Sequence, residues 1–162
     1  MEDAEREHLL KTGEWRAWIE KEARTWLYTP YQHKGRIKGV GVDCGGLVYQ
    51  VYEPIFGPFK PFPLDYAPDW AVHHENNMYL DFIRPYITEV PRPVPGGFTI
   101  WKIARSFAHA GIYTSRGTYI DAWGRNGIGD VTEHKPGFFT LAGKLREAKH
   151  FDVSKEWQSL AL

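Results

Sequence analysis

The chain has one cysteine, Cys44, and it stands in the run Gly41-Val42-Asp43-Cys44-Gly45-Gly46-Leu47-Val48. Leu47, Val48, Val51 and Tyr52 follow at helical spacing, so the thiol is predicted at the first turn of an apolar helix. The open N–H groups and positive macrodipole of a helix N-terminus favour thiolate, the nucleophilic form of cysteine, and the flanking glycines leave room for a substrate. Free cysteines are also among the residues most often buried as plain apolar groups. The helix start alone therefore leaves catalysis and core packing both open, and a base for the thiol decides between them.

Seven histidines are available. His109 opens the segment His109-Ala110-Gly111-Ile112-Tyr113, a short strand whose small residues let a helix approach closely, and it is the natural base. His33 precedes the cysteine in a glycine-rich loop, a poor support for a catalytic ring. His8 falls in a charged, frayed N-terminal segment, His73 and His74 in a polar loop, and His134 and His150 near strand ends, and these five read as solvated. Thr114-Ser115-Arg116-Gly117 then turns the chain into a second strand, Thr118 to Trp123. If Tyr113 faces Gly117, paired residue numbers sum to 230 and His109 stands directly opposite Asp121, with Cβ atoms about 4.5 to 5.5 Å apart. An aspartate there would fix one imidazole tautomer and stabilise the imidazolium. A register shifted by one residue would put the two side chains on opposite faces.

The elements that must hold these groups are helices first and strands later. Trp15, Trp18, Ile19, Ala23, Trp26 and Leu27 form an apolar stripe that predicts a first helix over about 13–27. Thr29-Pro30-Tyr31 breaks it, and 35–41 leads as a loop into the Cys44 helix, which Pro54 is expected to end or kink. Residues 53–63 carry four prolines and resist regular structure, 65–83 read as a loop and a short helix, and 91–97 as a connector. Strands are predicted at 98–103, 109–113, 118–123, 129–133 and 144–151. The result is an α+β chain with a mostly antiparallel sheet of about five strands. No repeat or linker divides it, so 1–162 reads as a single domain.

Composition excludes several functions. Lys plus Arg and Asp plus Glu both number 20, so no basic excess points to nucleic acid or an acidic membrane surface. One cysteine excludes an internal disulfide framework, and no Cys/His set has zinc spacing, so no metal or other cofactor is expected. The acidic start Met1 to His8 is unlike a signal peptide and no apolar run approaches a membrane span, which predicts synthesis in the cytoplasm and leaves the site of action open, since an assembled particle or a dedicated export machine could carry the chain outward.

Asp43-Cys44-Gly45-Gly46-Leu47-Val48, with His109-Ala110-Gly111-Ile112-Tyr113 and then Asp121-Ala122, resembles the NlpC-type cell-wall cysteine peptidases. Thr29 to Arg36 and Gly39 to Cys44 are similar to the phage-tail branch of that family. The resemblance spans about 15–151 and implies a papain-like fold, the nucleophile helix packed on the sheet, and hydrolysis of peptidoglycan stem peptides between γ-linked D-glutamate and the next diamino acid. It implies Cys44 as nucleophile, His109 as base, Asp121 as third polar residue in place of the usual His, Tyr31 as a tyrosine lining the site, and Asp43 as an acid that binds the free amine of the peptide. The bare chemistry also gives Asp43 a plainer role as helix N-cap. Gly45, where Ser or Ala is usual, and Gly97-Phe98, where Gly-Asp is usual, depart from the pattern. Two other functions fit the residues: an acyltransferase using the same thiol, and a structural or binding component of a tail or secretion assembly that docks through its proline-rich loops.

Overall fold

The computed structural model describes residues 1–57, 67, 78–125, 128–137 and 142–160. Of the stretch 53–63 predicted to be irregular, 53–56 are helical, because the buried Ile55 and Phe56 continue the apolar face of the Cys44 helix; 58–63, most of the N-terminal part of 65–83, and His73 and His74 lie outside the described residues.

Two helices, α1 (Asp3–Thr12) and α2 (Trp15–Arg24), open the chain, separated by Gly13 at φ 78°. The frayed end expected around His8 is thus a helix. Leu9 and Leu10 pack on the core and Arg6 Nε donates to the Ile55 carbonyl at 2.8 Å, so tertiary contact compensates for a weak local pattern. The tryptophan stripe forms α2 as expected, with Trp15, Ile19 and Ala23 buried. It ends three residues short of Leu27 because the chain is drawn away: Tyr28 N–H donates to the Val131 carbonyl and Tyr31 N–H to that of Gly129.

The predicted loop before the cysteine contains a small antiparallel pair, β1 (Arg36–Ile37) and β2 (Gly41–Val42). Helix α3 (Cys44–Phe56) follows, and its buried stripe Leu47, Val48, Val51, Tyr52, Ile55 and Phe56 anchors it in the core. Pro54 does not end it. The ring removes only its own N–H, and the last turn is held by Gly57 N–H donating to the Glu53 carbonyl. Helix α4 (Met78–Ile83) and a 3₁₀ turn (Arg84–Tyr86) lead into the sheet, and α5 (Lys155–Leu160) closes the described chain.

The main sheet has six antiparallel strands rather than about five, in the order β3-β8-β4-β5-β6-β7: β3 (Ile87–Val90), β4 (Phe98–Ile103), β5 (Ser106–Tyr113), β6 (Tyr119–Arg125), β7 (Ile128–His134) and β8 (Ala148–Val153). Strand β3 escaped the sequence reading because its four residues are only half-buried or exposed and carry no apolar alternation. Strand β8 begins later than expected, at Ala148. Phe98, Ile100, Ala110, Ile112, Ile120, Ala122 and Val131 join α2 and α3 in one buried cluster. The alternate residues of β5 and β6, His109, Gly111 and Asp121, therefore belong to the other set of side chains.

Strand β5 carries an irregularity at the place that matters most. Lys102 of β4 pairs with Phe107, but Trp101 pairs with His109, so Ala108 is one extra residue, a bulge. Bulges bend a strand and re-aim the neighbouring side chains, and this one lies immediately before His109.

Candidate active site

Cys44 is the first residue of α3 and is half-buried, its Sγ 3.6 Å from the carbonyl oxygen of Ala108 at the bulge. Asp43 precedes it in extended conformation (φ −99°, ψ 175°) as the N-cap. Its Oδ1 accepts from Gly46 N–H at 2.7 Å and its Oδ2 from Lys34 N–H at 2.8 Å, with only 4% of the residue exposed. The carboxylate thereby ties the helix start to the loop before β1. Gly46 makes this closeness possible, since a Cβ there would lie 2.5 Å from the Gly35 carbonyl oxygen. We expect Asp43→Ala to cost about 2 kcal/mol or more, an N-cap loss plus an unsatisfied Lys34 N–H, read as a lower midpoint in urea unfolding. Asp43→Asn, which keeps an oxygen for Gly46, should cost less.

His109 is 2% exposed, and its Nε2 lies 3.2 Å from Asp121 Oδ2, a carboxylate itself 1% exposed. The contact is diagonal rather than directly across the hairpin. Ile112 pairs with Ile120 and Tyr113 with Tyr119, so paired numbers sum to 232 and not 230. The turn is longer than expected because Thr114 and Thr118 close it themselves, Thr114 N–H donating to the Thr118 carbonyl and the two hydroxyls meeting at 2.6 Å, with Gly117 at φ 73° inside. A shift of two residues preserves the face of every side chain, which is why His109 and Asp121 still meet. With Nε2 on Asp121, Nδ1 is the nitrogen left for the thiol.

Asp121 holds a second imidazole. Nε2 of His134, on β7, is 2.8 Å from the same Oδ2. His134 was expected to be solvated, as was His150; instead His150 Nδ1 meets Thr99 Oγ1 at 2.8 Å and Thr99 meets the Tyr119 hydroxyl at 3.0 Å. Burial opposes charge on His109, but Asp121 and then the Cys44 sulfur outweigh it and hold its pKa up at about 10. Burial likewise opposes charge on Asp121, and His109 followed by His134 overcomes it, bringing the carboxyl down to about 2. The hydrogen bond to Asp121 raises the His134 pKa against the effect of partial burial. A thiol at a helix start, an imidazole beside it and a buried carboxylate behind that imidazole can perform nucleophilic acyl chemistry.

No protein-family model and no curated protein matches the sequence. Solved structures do match the fold. The NlpC/p60 domain of the peptidoglycan hydrolase SagA aligns with a TM-score of 0.52 at 20% identity, over 86% of this chain and 97% of that one. The peptidoglycan hydrolase RipB from Mycobacterium tuberculosis gives 0.55 at 18% identity, covering 90% of this chain and 66% of that one. The Resuscitation Promoting Factor Interacting protein RipA gives 0.53 at 15% identity, over 86% and 62%. The chain has the NlpC/p60 fold.

Within this NlpC/p60 fold the remaining predicted site residue, Tyr31, sits beside the cysteine. Burial, with smaller contributions from Cys44 and Asp43, pushes its hydroxyl up to about 12, so it is a neutral phenol in the working pH range. Its side chain passes close over Gly124 of β6, where a Cβ would be 2.4 Å from Tyr31 Cγ. Gly124→Ala must therefore displace the ring. We expect about 1 to 3 kcal/mol of lost stability and a raised KM with a smaller change in kcat, checked by unfolding and steady-state kinetics. Gly45, unusual at its position, faces α4: a Cβ there would lie 3.3 Å from the Tyr79 ring.

Three residues around the site, Trp123, Trp101 and His134, were not legible as such in the sequence. Trp123, 41% exposed, packs edge-on to His109 with ring centroids 4.8 Å apart, while Trp101 stacks on the same imidazole at 5.6 Å. His134 lies opposite Tyr119, two residues from the Thr132 that pairs with Asp121, and so shares the Asp121 face. The even spacing from Thr132 to His134 was the available signal. The strand was expected to stop at Glu133, which hid it.

Proposed function

We propose that this protein is a cysteine hydrolase that cleaves amide bonds in peptidoglycan stem peptides, between γ-linked D-glutamate and the following diamino acid. One observation carries the reading: the adjacency of Cys44, His109 and Asp121, in a fold shared with domains of peptidoglycan hydrolases.

In the proposed cycle the Cys44 thiol gives its proton to His109 and Sγ attacks the amide carbonyl carbon. The Cys44 backbone N–H, at a helix start where helix geometry supplies no partner, donates to the developing oxyanion. His109 then returns the proton to the departing amine as the C–N bond breaks, leaving a thioester. Water attacks that thioester, His109 takes the proton, and the C–S bond breaks to free the acid and restore Cys44. Asp121 holds the imidazole through Nε2 in both steps. No cofactor enters the cycle.

Tyr31 and Trp123 would form the aromatic walls of the substrate cleft. Asp43 spends one lone pair of each oxygen on backbone N–H groups and would act on the substrate amine through its charge. The wall is the site of action this chemistry requires, and the resemblance of 29–44 to phage-tail relatives favours a tail-borne enzyme.

Digestion of defined muropeptides, read by mass spectrometry, tests the reading. Cleavage between D-glutamate and the diamino acid is expected, with free N-termini preferred roughly tenfold or more over acetylated ones if Asp43 senses the amine. Intact muropeptides after prolonged incubation with a reduced, folded protein would refute the hydrolase assignment. Equal cleavage of free and acetylated peptides would refute only the role of Asp43.

A further inference from the structure

We propose that His134 is a positioning residue of this site, an imidazolium that clamps the Asp121 carboxylate and keeps it aimed at His109; the role rests on the assignment of Cys44, His109 and Asp121 above. The first argument is valence. Nδ1 of His134 lies 2.9 Å from the carbonyl oxygen of Lys135, and Nε2 lies 2.8 Å from Asp121 Oδ2. A carbonyl oxygen and an ionised carboxylate both only accept, so both ring nitrogens of His134 carry hydrogen and the ring is a cation.

The second argument is the geometry around Asp121. Its Oδ2 is shared by two Nε2 atoms, and the shorter contact, 2.8 Å against 3.2 Å, belongs to His134. A carboxylate at 1% exposure needs partners to stay charged, and with His109 alone it would keep only the longer, 3.2 Å contact. When the Cys44 proton is on His109, charge alternates along the row His134, Asp121, His109, Cys44. Of the two imidazoles in the row His134 is the one open to water, with 32% of its side chain exposed against 3% for His109. Among the described residues the titratable groups that face it are Asp121 and Tyr119 of β6 and His109 of β5; Glu133, beside it in sequence, is turned to Arg24 and Thr118.

Two variants separate positioning from bulk structure. His134→Leu removes the donor, and His134→Gln keeps an amide donor for Asp121 without the charge. We expect His134→Leu to lower kcat about tenfold with KM within about twofold, and His134→Gln to recover most of the loss. Long-range proton–nitrogen NMR of the imidazoles at neutral pH needs no substrate: both nitrogens of His134 should be protonated, and His134→Leu should shift the titration of His109. An unprotonated nitrogen on His134 would overturn the proposal, as would equal loss of kcat in the Leu and Gln variants. If muropeptides stay intact while the NMR results hold, the hydrolase assignment fails and the clamp stands. If they are cleaved and His134→Leu changes neither kcat nor the His109 titration, the clamp alone fails.

Discussion

Cys44→Ala is expected to remove all measurable cleavage of the proposed muropeptide substrate, a loss of about 10⁴- to 10⁶-fold in kcat, because the sequence holds no second thiol to accept the acyl group. The fold survives the change. The side chain is half-buried, and its polar contacts are a 3.6 Å approach to the Ala108 carbonyl and the interaction with His109, so the stability cost should stay near 1 kcal/mol. His109→Ala should be nearly as damaging to turnover, and the double variant no worse than either single one, since nucleophile and base act as a unit. Circular dichroism together with initial rates on a defined muropeptide checks both statements. Iodoacetamide adds a control without substrate: alkylation of Cys44 should slow in His109→Ala. Residual cleavage by Cys44→Ala would show that the chemistry lies elsewhere.

The second large effect is expected from Asp121→Asn. The amide keeps the volume and loses the charge that His109 and His134 share, and turnover should fall by up to about 10⁴-fold if the imidazole takes the wrong tautomer. The pH dependence follows from the two shifts. His109 is raised from its ordinary 6.5 to about 10, so its contribution to stability is full below 6.5 and is lost as pH rises through 10. Asp121 is lowered from 3.8 to about 2, so its contribution is present above 3.8 and is lost as pH falls through 2. The pair therefore stabilises most between about pH 4 and 6.5, and the native protein should lose stability as pH rises from 6.5 toward 10. Asp121→Asn should flatten that slope and lower stability near pH 6 by up to about 3 kcal/mol. Urea midpoints at several pH values measure both. An unchanged slope in Asp121→Asn would mean that another group holds the His109 charge.

The fold class and the position of Cys44 at a helix start were legible in local sequence for identifiable reasons. The apolar spacing from Leu47 to Tyr52 is a helical period, and Asp43 before it has the side chain an N-cap needs, so the position of Cys44 at a helix start followed without any tertiary information. The alternation His109, Gly111 and Ala110, Ile112 fixed which residues of β5 share a face, and an even register error could not disturb it.

What lay beyond the sequence was everything set by partners far along the chain. The hydroxyls of Thr114 and Thr118 lengthened the turn and made the His109–Asp121 contact diagonal. The bulge at Ala108, which brings its carbonyl to Cys44 and re-aims His109, exists only in the pairing of β5 with β4. Helix α1 is held by the core rather than by its own pattern, and β7 draws Tyr28 to Tyr31 away from α2 and sets Tyr31 on Gly124. His134 reaches Asp121 because β7 pairs with β6 in one register out of several that its short apolar pattern would allow. Local sequence encodes period and face, whereas register, bulges and shared hydrogen-bond acceptors depend on contacts between strands, and in this protein those contacts decided which groups meet at the thiol.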